Sequence, residues 1–161
     1  MKRDLYLLRH AKSVERGSEM RDADRALKPR GIEDILNLAG RVHAKAKSIE
    51  RILSSPANRT IHTAILFAEA TGIPMDRIAI CSDIYLADDD DLALIVSEAD
   101  NQLTSLMIVG HNPSVTNLAN RFLNEPVFDV PTSGLVVLQF DADSWMNISK
   151  STLTDSFTVF P

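Results

Sequence analysis

Two histidines and two arginines stand where short apolar runs end. Leu5-Tyr6-Leu7-Leu8 runs into Arg9-His10, and Ile52-Leu53 runs into Ser54-Ser55-Pro56-Ala57-Asn58-Arg59. Leu106-Met107-Ile108-Val109 runs into Gly110-His111-Asn112-Pro113. An imidazole titrates near neutrality and, unprotonated, offers a nitrogen lone pair to an electrophile. A guanidinium stays charged and meets two oxygens of one anion at once. One such residue at the end of an apolar run reads equally well as an ion-pair former or a satisfied structural group. All four at equivalent places point instead to a site that binds an anion. The chain as a whole is acidic, with 17 basic and 22 acidic residues and a formal charge of −5. Cations gathered at one edge of such a chain therefore indicate an anionic ligand.

The elements that must hold these residues emerge from the patterning. Leu5 to Leu8 is a continuous apolar run, as expected of a strand buried on both faces. Ile32, Ile35, Leu36, Ala39, Val42 and Ala46 repeat at helical spacing, with Pro29 near the start. Ile52-Leu53 gives a second strand. Ile61, Ala64, Ile65 and Ala68 mark a helix that opens with Arg59 in its first turn and ends at Gly72, a good C-terminal residue. Ile78 to Cys81 reads as a third strand, and Leu92, Ile95, Val96 and Ala99 as a helix. Leu106 to Val109 is the fourth strand, followed by a helix on Val115, Leu118, Ala119 and Phe122. Leu135 to Leu138 and Phe157 to Phe160 are late strands. This β-α alternation predicts an α/β fold, a three-layer α/β/α sandwich around a mostly parallel sheet. In such sheets ligands bind beyond the carboxyl ends of the strands, where the four residues fall. Helix N-termini after the second and fourth strands would add aligned N–H groups.

Composition sets the outer bounds. A chain of 161 residues predicts one domain spanning 1–161, which buries roughly 70% of its extended surface. Apolar residues at 45% and charged residues at 24% are ordinary globular values. The single cysteine, Cys81, excludes an internal disulfide framework and a Cys₄ zinc site. The charged start Met1-Lys2-Arg3-Asp4 lacks a secretory apolar region, and no apolar stretch approaches membrane-spanning length. A cytoplasmic location, with neither nucleic acid nor membrane as partner, is the expectation.

The three segments together resemble a known family. Leu8-Arg9-His10-Ala11-Lys12-Ser13 resembles the signature of the histidine phosphatase superfamily, whose fold is the phosphoglycerate mutase-like one. Ser54 to Ala64 resembles its second motif and Val109 to Pro113 its third, in the family's order. The short length, without a large insertion between the second and third motifs, is most similar to the SixA-type phosphohistidine phosphatases. The resemblance implies that His10 is the nucleophile and becomes phosphorylated. It implies that Arg9 and Arg59 clamp the phosphoryl oxygens and that His111 stabilises the group in flight. Asp24-Arg25-Ala26-Leu27 resembles the arginine-bearing segment before the first helix, making Arg25 a third clamp. Lys28 stands where relatives carry a small hydroxyl, so no side-chain cap is expected at that helix. Ser13, near His10, is a further candidate for phosphate contact. Mutase-like relatives carry a general acid, and its nearest counterpart is Asp83 in Asp83-Ile84-Tyr85-Leu86. No metal or other cofactor is implied.

Other features have plainer readings. Asp88 to Asp91 suits a helix N-terminus through its dipole. A calcium loop would need glycine where Ala93 stands. Asp22-Ala23-Asp24 mimics the DxD of aspartyl phosphatases but comes after a polar stretch rather than a strand, and is set aside. Cys81 has Ala87 where a cysteine phosphatase needs arginine. Thr132-Ser133-Gly134 reaches the site edge or forms a turn. His62 reads as packing, His43 as solvent-facing, and Trp145 with the apolar C-terminal run as core. The preferred activity is hydrolysis of a phosphohistidine-bearing protein, with inorganic phosphate as product. Imidazole leaves far more readily than an alkoxide, so a strong acid is less necessary. Two alternatives stand beside it. One is a phosphatase of small phosphomonoesters such as sugar phosphates. The other is a phosphate-dependent binding module without turnover, which would need the arginines but not the nucleophile.

Overall fold

Residues 1–161 are described by a computed structural model. Six strands form one sheet in the order β3-β2-β4-β1-β5-β6. They are β1 (Lys2–Arg9), β2 (Arg51–Ser54), β3 (Ile78–Ile80), β4 (Ser105–Gly110), β5 (Leu135–Asp141) and β6 (Leu153–Val159). β1, β4, β2 and β3 are parallel, whereas β5 pairs antiparallel with both β1 and β6. The four helices are α1 (Pro29–Ala46), α2 (Asn58–Thr71), α3 (Asp89–Ser97) and α4 (Ser114–Phe122). Strand side chains alternate between the two faces. Tyr6, Leu8, Met107, Val109 and Val137 pack with α1 and α2 on one face. Leu5, Leu7, Leu106, Ile108 and Val136 pack with α3, α4 and Trp145 on the other. The result is the expected three-layer α/β/α sandwich.

Local chemistry explains the element ends. Gly72 closes α2 in the left-handed conformation, at φ 76°. Asp88 accepts from the Asp91 amide and Asp91 from the Asp88 amide, a reciprocal cap that opens α3. The start of α1 at Lys28 has no side-chain cap, as its sequence predicts. Three readings need correction. Leu36 and Ile65, counted in the apolar helical repeats, are exposed. The α1 stripe runs through Ile35, Leu38, Ala39, Val42 and Ala46, and Leu36 lies about 100° off it. β6 begins at Leu153, before the predicted Phe157, and Phe157 and Phe160 are only half-buried because β6 is a sheet edge.

From β1 the chain passes over the place of β4 to β2, moves out to β3, then returns to β4 beside β1. The carboxyl ends of β1, β4 and β2 therefore lie together, at the kind of reversal where open α/β sheets bind ligands. Because β5 is antiparallel, the residues before it, Val130 to Gly134, reach that same edge.

Candidate active site

His10 leaves the end of β1 into a tightly held loop. Its amide donates to the Gly110 carbonyl at 3.1 Å, and its own carbonyl accepts from the Ser133 amide at 3.1 Å. The next amide, of Ala11, donates to Thr63 Oγ1 at 2.9 Å. Distant parts of the chain thus fix one short stretch of backbone. The ring is buried, and Nδ1 lies 2.8 Å from the Ala11 carbonyl. A carbonyl oxygen only accepts, so in the neutral ring Nδ1 carries the hydrogen and Nε2 the lone pair. Burial chiefly, and then the charges of Arg59, Arg9 and Arg25, lower the His10 pKa from 6.5 to about 4. His10 is therefore unprotonated at neutral pH, more through desolvation than through the neighbouring cations.

His111, from the end of β4, stands beside it with ring centroids 5.4 Å apart. Its Nε2 lies 2.8 Å from Ser55 Oγ, at the end of β2. Burial, then Arg59 and His10, lower its pKa to about 3. Tyr85 meets the His111 ring edge-on at 5.6 Å.

The arginines converge here. Arg9 donates through one terminal nitrogen to the Val130 carbonyl at 2.9 Å. Arg59, in the first turn of α2, is buried and donates to the Asp22 carbonyl and to Asp22 Oδ2, both at 2.9 Å. Arg25 donates to Asp22 Oδ1 at 3.2 Å and to Ser13 Oγ at 2.7 Å. In all three the Nε atom is buried without a partner, as is Nδ1 of His111. A buried donor left unpaired costs about 1–3 kcal/mol. Three guanidiniums whose charges act on one imidazole, with a second imidazole beside it, make a site suited to an oxyanion.

The structure brings Arg9, His10, Arg25, Arg59 and His111 together, with Ser13 supporting Arg25. It does not bring Asp83 among them. Asp83 is exposed, makes no ion pair, and lines a neighbouring hollow with Leu86, Leu94 and Glu98. Its second neighbour, Tyr85, reaches inward instead and donates to Asp22 Oδ2 at 2.5 Å. Asp22 is the residue that sequence reasoning sets aside, because no strand precedes it. It lies in a short 3-10 turn, Asp22–Asp24, whose place depends on contacts distant in sequence. That Tyr85 bond, followed by the one from Arg59, lowers the Asp22 pKa to about 2. Ser55 also joins the site unassigned, although its position just beyond β2 is the same signal that marks Arg9, His10 and His111. Ser133, in the segment expected at the site edge or in a turn, holds the left-handed conformation at φ 57°. Its hydroxyl is buried and unpartnered, and its amide is the one that holds the His10 carbonyl. His62 is half-buried and His43 exposed, as expected.

No group of three or more His, Cys, Asp or Glu side chains is arranged to hold a metal ion. No helix is long and apolar enough to cross a membrane. A family model described as the histidine phosphatase superfamily (branch 1) matches residues 5–88. A solved structure from Agrobacterium tumefaciens, provisionally assigned as phosphohistidine phosphatase SixA, is 31% identical with a TM-score of 0.74. That match covers 84% of this chain and 90% of the other. The protein histidine phosphatase SixA complexed with tungstate gives a TM-score of 0.75 at 18% identity, covering 96% of each chain. An uncharacterised protein of Mycobacterium leprae is 28% identical over 153 residues, 88% of this chain and 91% of its own length.

Proposed function

The chain belongs to the histidine phosphatase superfamily, and from that premise we propose that it hydrolyses phosphohistidine on a protein, by way of a phosphoryl group carried on His10. The observation that carries this reading is the cluster: three guanidiniums whose charges act on His10, and His111 with its ring centroid 5.4 Å away, around an imidazole whose free nitrogen is Nε2. In the first step the Nε2 lone pair attacks phosphorus, and the bond to the substrate nitrogen breaks. Arg9, Arg25 and Arg59 meet the equatorial oxygens with donors already in place. His111, held by Ser55, meets the transferring group from the side. In the second step water attacks the phosphorylated His10, releasing inorganic phosphate and the free ring. The guanidiniums supply the positive charge, so no metal or cofactor enters either step. Residues 1–161 act as one catalytic domain.

A protein substrate is favoured over a small one by the rim. The two most exposed large apolar side chains are Phe128, at 103%, and Leu86, at 87%. Phe128 lies two residues from the Val130 carbonyl that holds Arg9, and Leu86 is next to Tyr85. Exposed apolar groups so close in sequence to site residues suit a partner surface better than a sugar.

The test is trapping. After brief exposure to a phosphohistidine protein and a quench that avoids acid, mass spectrometry should find phosphate on the peptide containing His10. His10→Ala should abolish the label and lower turnover by several orders of magnitude. Label on Ser13 or Cys81 would sink the mechanism. Chelator should leave turnover intact, and a loss restored by added metal would place the enzyme in another class.

A further inference from the structure

Asp22 is an odd neighbour for a phosphate site. Its carboxylate sits among the guanidiniums that the phosphoryl group needs, and adds a negative charge where a dianion must bind. Three side chains hold it: Arg25 on Oδ1, and Arg59 and Tyr85 on Oδ2. So held, with its pKa near 2, it stays ionised through the neutral range. It therefore has no proton to give a departing alkoxide. For an ester substrate it offers only repulsion.

A substrate that carries a positive charge beside the phosphoryl group changes the balance. In a phosphorylated imidazole, the ring nitrogen not bonded to phosphorus can hold a proton, making the ring a cation. An ionised carboxylate has about four acceptor positions. Three are taken here, leaving one on Oδ1. Asp22 is bonded to Tyr85, which stands edge-on to His111, and its charge acts on His111 rather than on His10. In an in-line displacement the leaving group departs on the side of phosphorus opposite the attacking nitrogen.

We propose that Asp22 is the specificity-determining residue, accepting the ring N–H of the substrate imidazolium and so selecting phosphorus–nitrogen over phosphorus–oxygen bonds. The inference rests on the phosphohistidine reading and adds a role to it. The step balances without proton transfer. His10 Nε2 forms the new bond to phosphorus, and the electron pair of the breaking P–N bond returns to the leaving nitrogen. The ring departs as neutral imidazole, because its other nitrogen keeps the proton and only donates it in a hydrogen bond to Asp22. Asp22 thereby stands in for the general acid that Asp83 does not supply.

Asp22→Asn tests this with two small probes, phosphoimidazole and p-nitrophenyl phosphate, assayed on the same preparation. The ratio of kcat/KM for phosphoimidazole to that for the aryl ester should fall at least about tenfold, the worth of a hydrogen bond to a charged group. Losses from misfolding cancel in the ratio, and Asp22→Glu, which keeps the charge, should recover part of it. Tyr85→Phe, which removes one bond to Asp22, should shift the ratio the same way by less. A ratio unchanged within about threefold in Asp22→Asn, with wild type active on phosphoimidazole, would make Asp22 merely a brace for Arg25 and Arg59. Wild type unable to cleave phosphoimidazole would overturn the phosphohistidine reading itself, and this inference with it.

Discussion

At the scale of single residues, the site depends on the shape of its donors as well as on their charge. Arg59 spends both terminal nitrogens on Asp22 and keeps Nε unpartnered. Arg59→Ala should cost about 2–4 kcal/mol of transition-state stabilisation. Arg59→Lys should recover little, since a point charge cannot reproduce the fork to the Asp22 carbonyl and carboxylate. Steady-state kinetics on one phosphorylated substrate checks both variants, and near-full activity in the lysine form would reduce Arg59 to a source of field. The histidines make a second prediction, about stability. An unfolded histidine takes up its proton near pH 6.5, whereas folded His10 and His111 resist until about pH 4 and 3. Below 6.5 the unfolded chain binds protons that the folded chain refuses, so stability falls with pH until the folded values are reached. Each histidine contributes at most about 1.4 kcal/mol per pH unit. Urea unfolding at pH 7 and pH 5 should show the loss, and His10→Ala should make it smaller. The residues legible in the sequence are those just beyond strands: Arg9, His10, Arg59 and His111. Asp22 and Tyr85 are not, because a loop residue that reaches the site by tertiary contact leaves no periodic trace.

At the scale of elements, the loop after β1 and the segment before α1 behave as one unit. Lys28 donates to the Lys12 carbonyl at 2.9 Å, Val14 to the Ala26 carbonyl at 2.8 Å, and Ser13 and Leu27 form a bridge. Gly31, in the first turn of α1, packs so closely that an added Cβ would lie 2.2 Å from the Lys12 carbonyl oxygen. Gly31→Ala should therefore push the helix from the His10 loop. A loss on the order of 1–3 kcal/mol in stability is expected, together with lower activity at full occupancy of substrate. Thermal melting and kcat measure the two effects, and a variant that melts normally with normal kcat would contradict the coupling. This pairing also shows how far the fold can be read in advance. The strands and helices arise from apolar periodicity, and each was anticipated. The corrections at Leu36, Ile65 and β6 concern which face is covered, which depends on neighbours that periodicity does not name. Glycine at 31 carries no sign that its missing side chain makes room for a carbonyl of the β1 loop.

At the scale of the whole molecule, the sheet gathers Arg9, His10, Arg59 and His111 at one edge, and Phe128 and Leu86, close in sequence to Val130 and Tyr85, stand in water. Phe128→Ser and Leu86→Ser should raise KM for a phosphohistidine protein several-fold while leaving p-nitrophenyl phosphate turnover as it was. Equal effects on both substrates would mean that these side chains shape the pocket rather than meet a partner. The clustered charges of Arg9, Arg25 and Arg59 carry a consequence for the protein at rest. Cations held this close repel one another in the free enzyme, and a tetrahedral oxyanion relieves that repulsion. Inorganic phosphate should therefore act as a folding ligand. At a hundredfold excess over its dissociation constant it adds about 2.7 kcal/mol, or roughly 5–10 °C in melting temperature for a chain of this size. The nitrogens that grip the product are the same ones that grip the reacting group. Phosphate should thus inhibit in competition with substrate, and its inhibition constant should equal the dissociation constant read from the melting curve. The enzyme would then be most robust where its product accumulates, and slowest there as well.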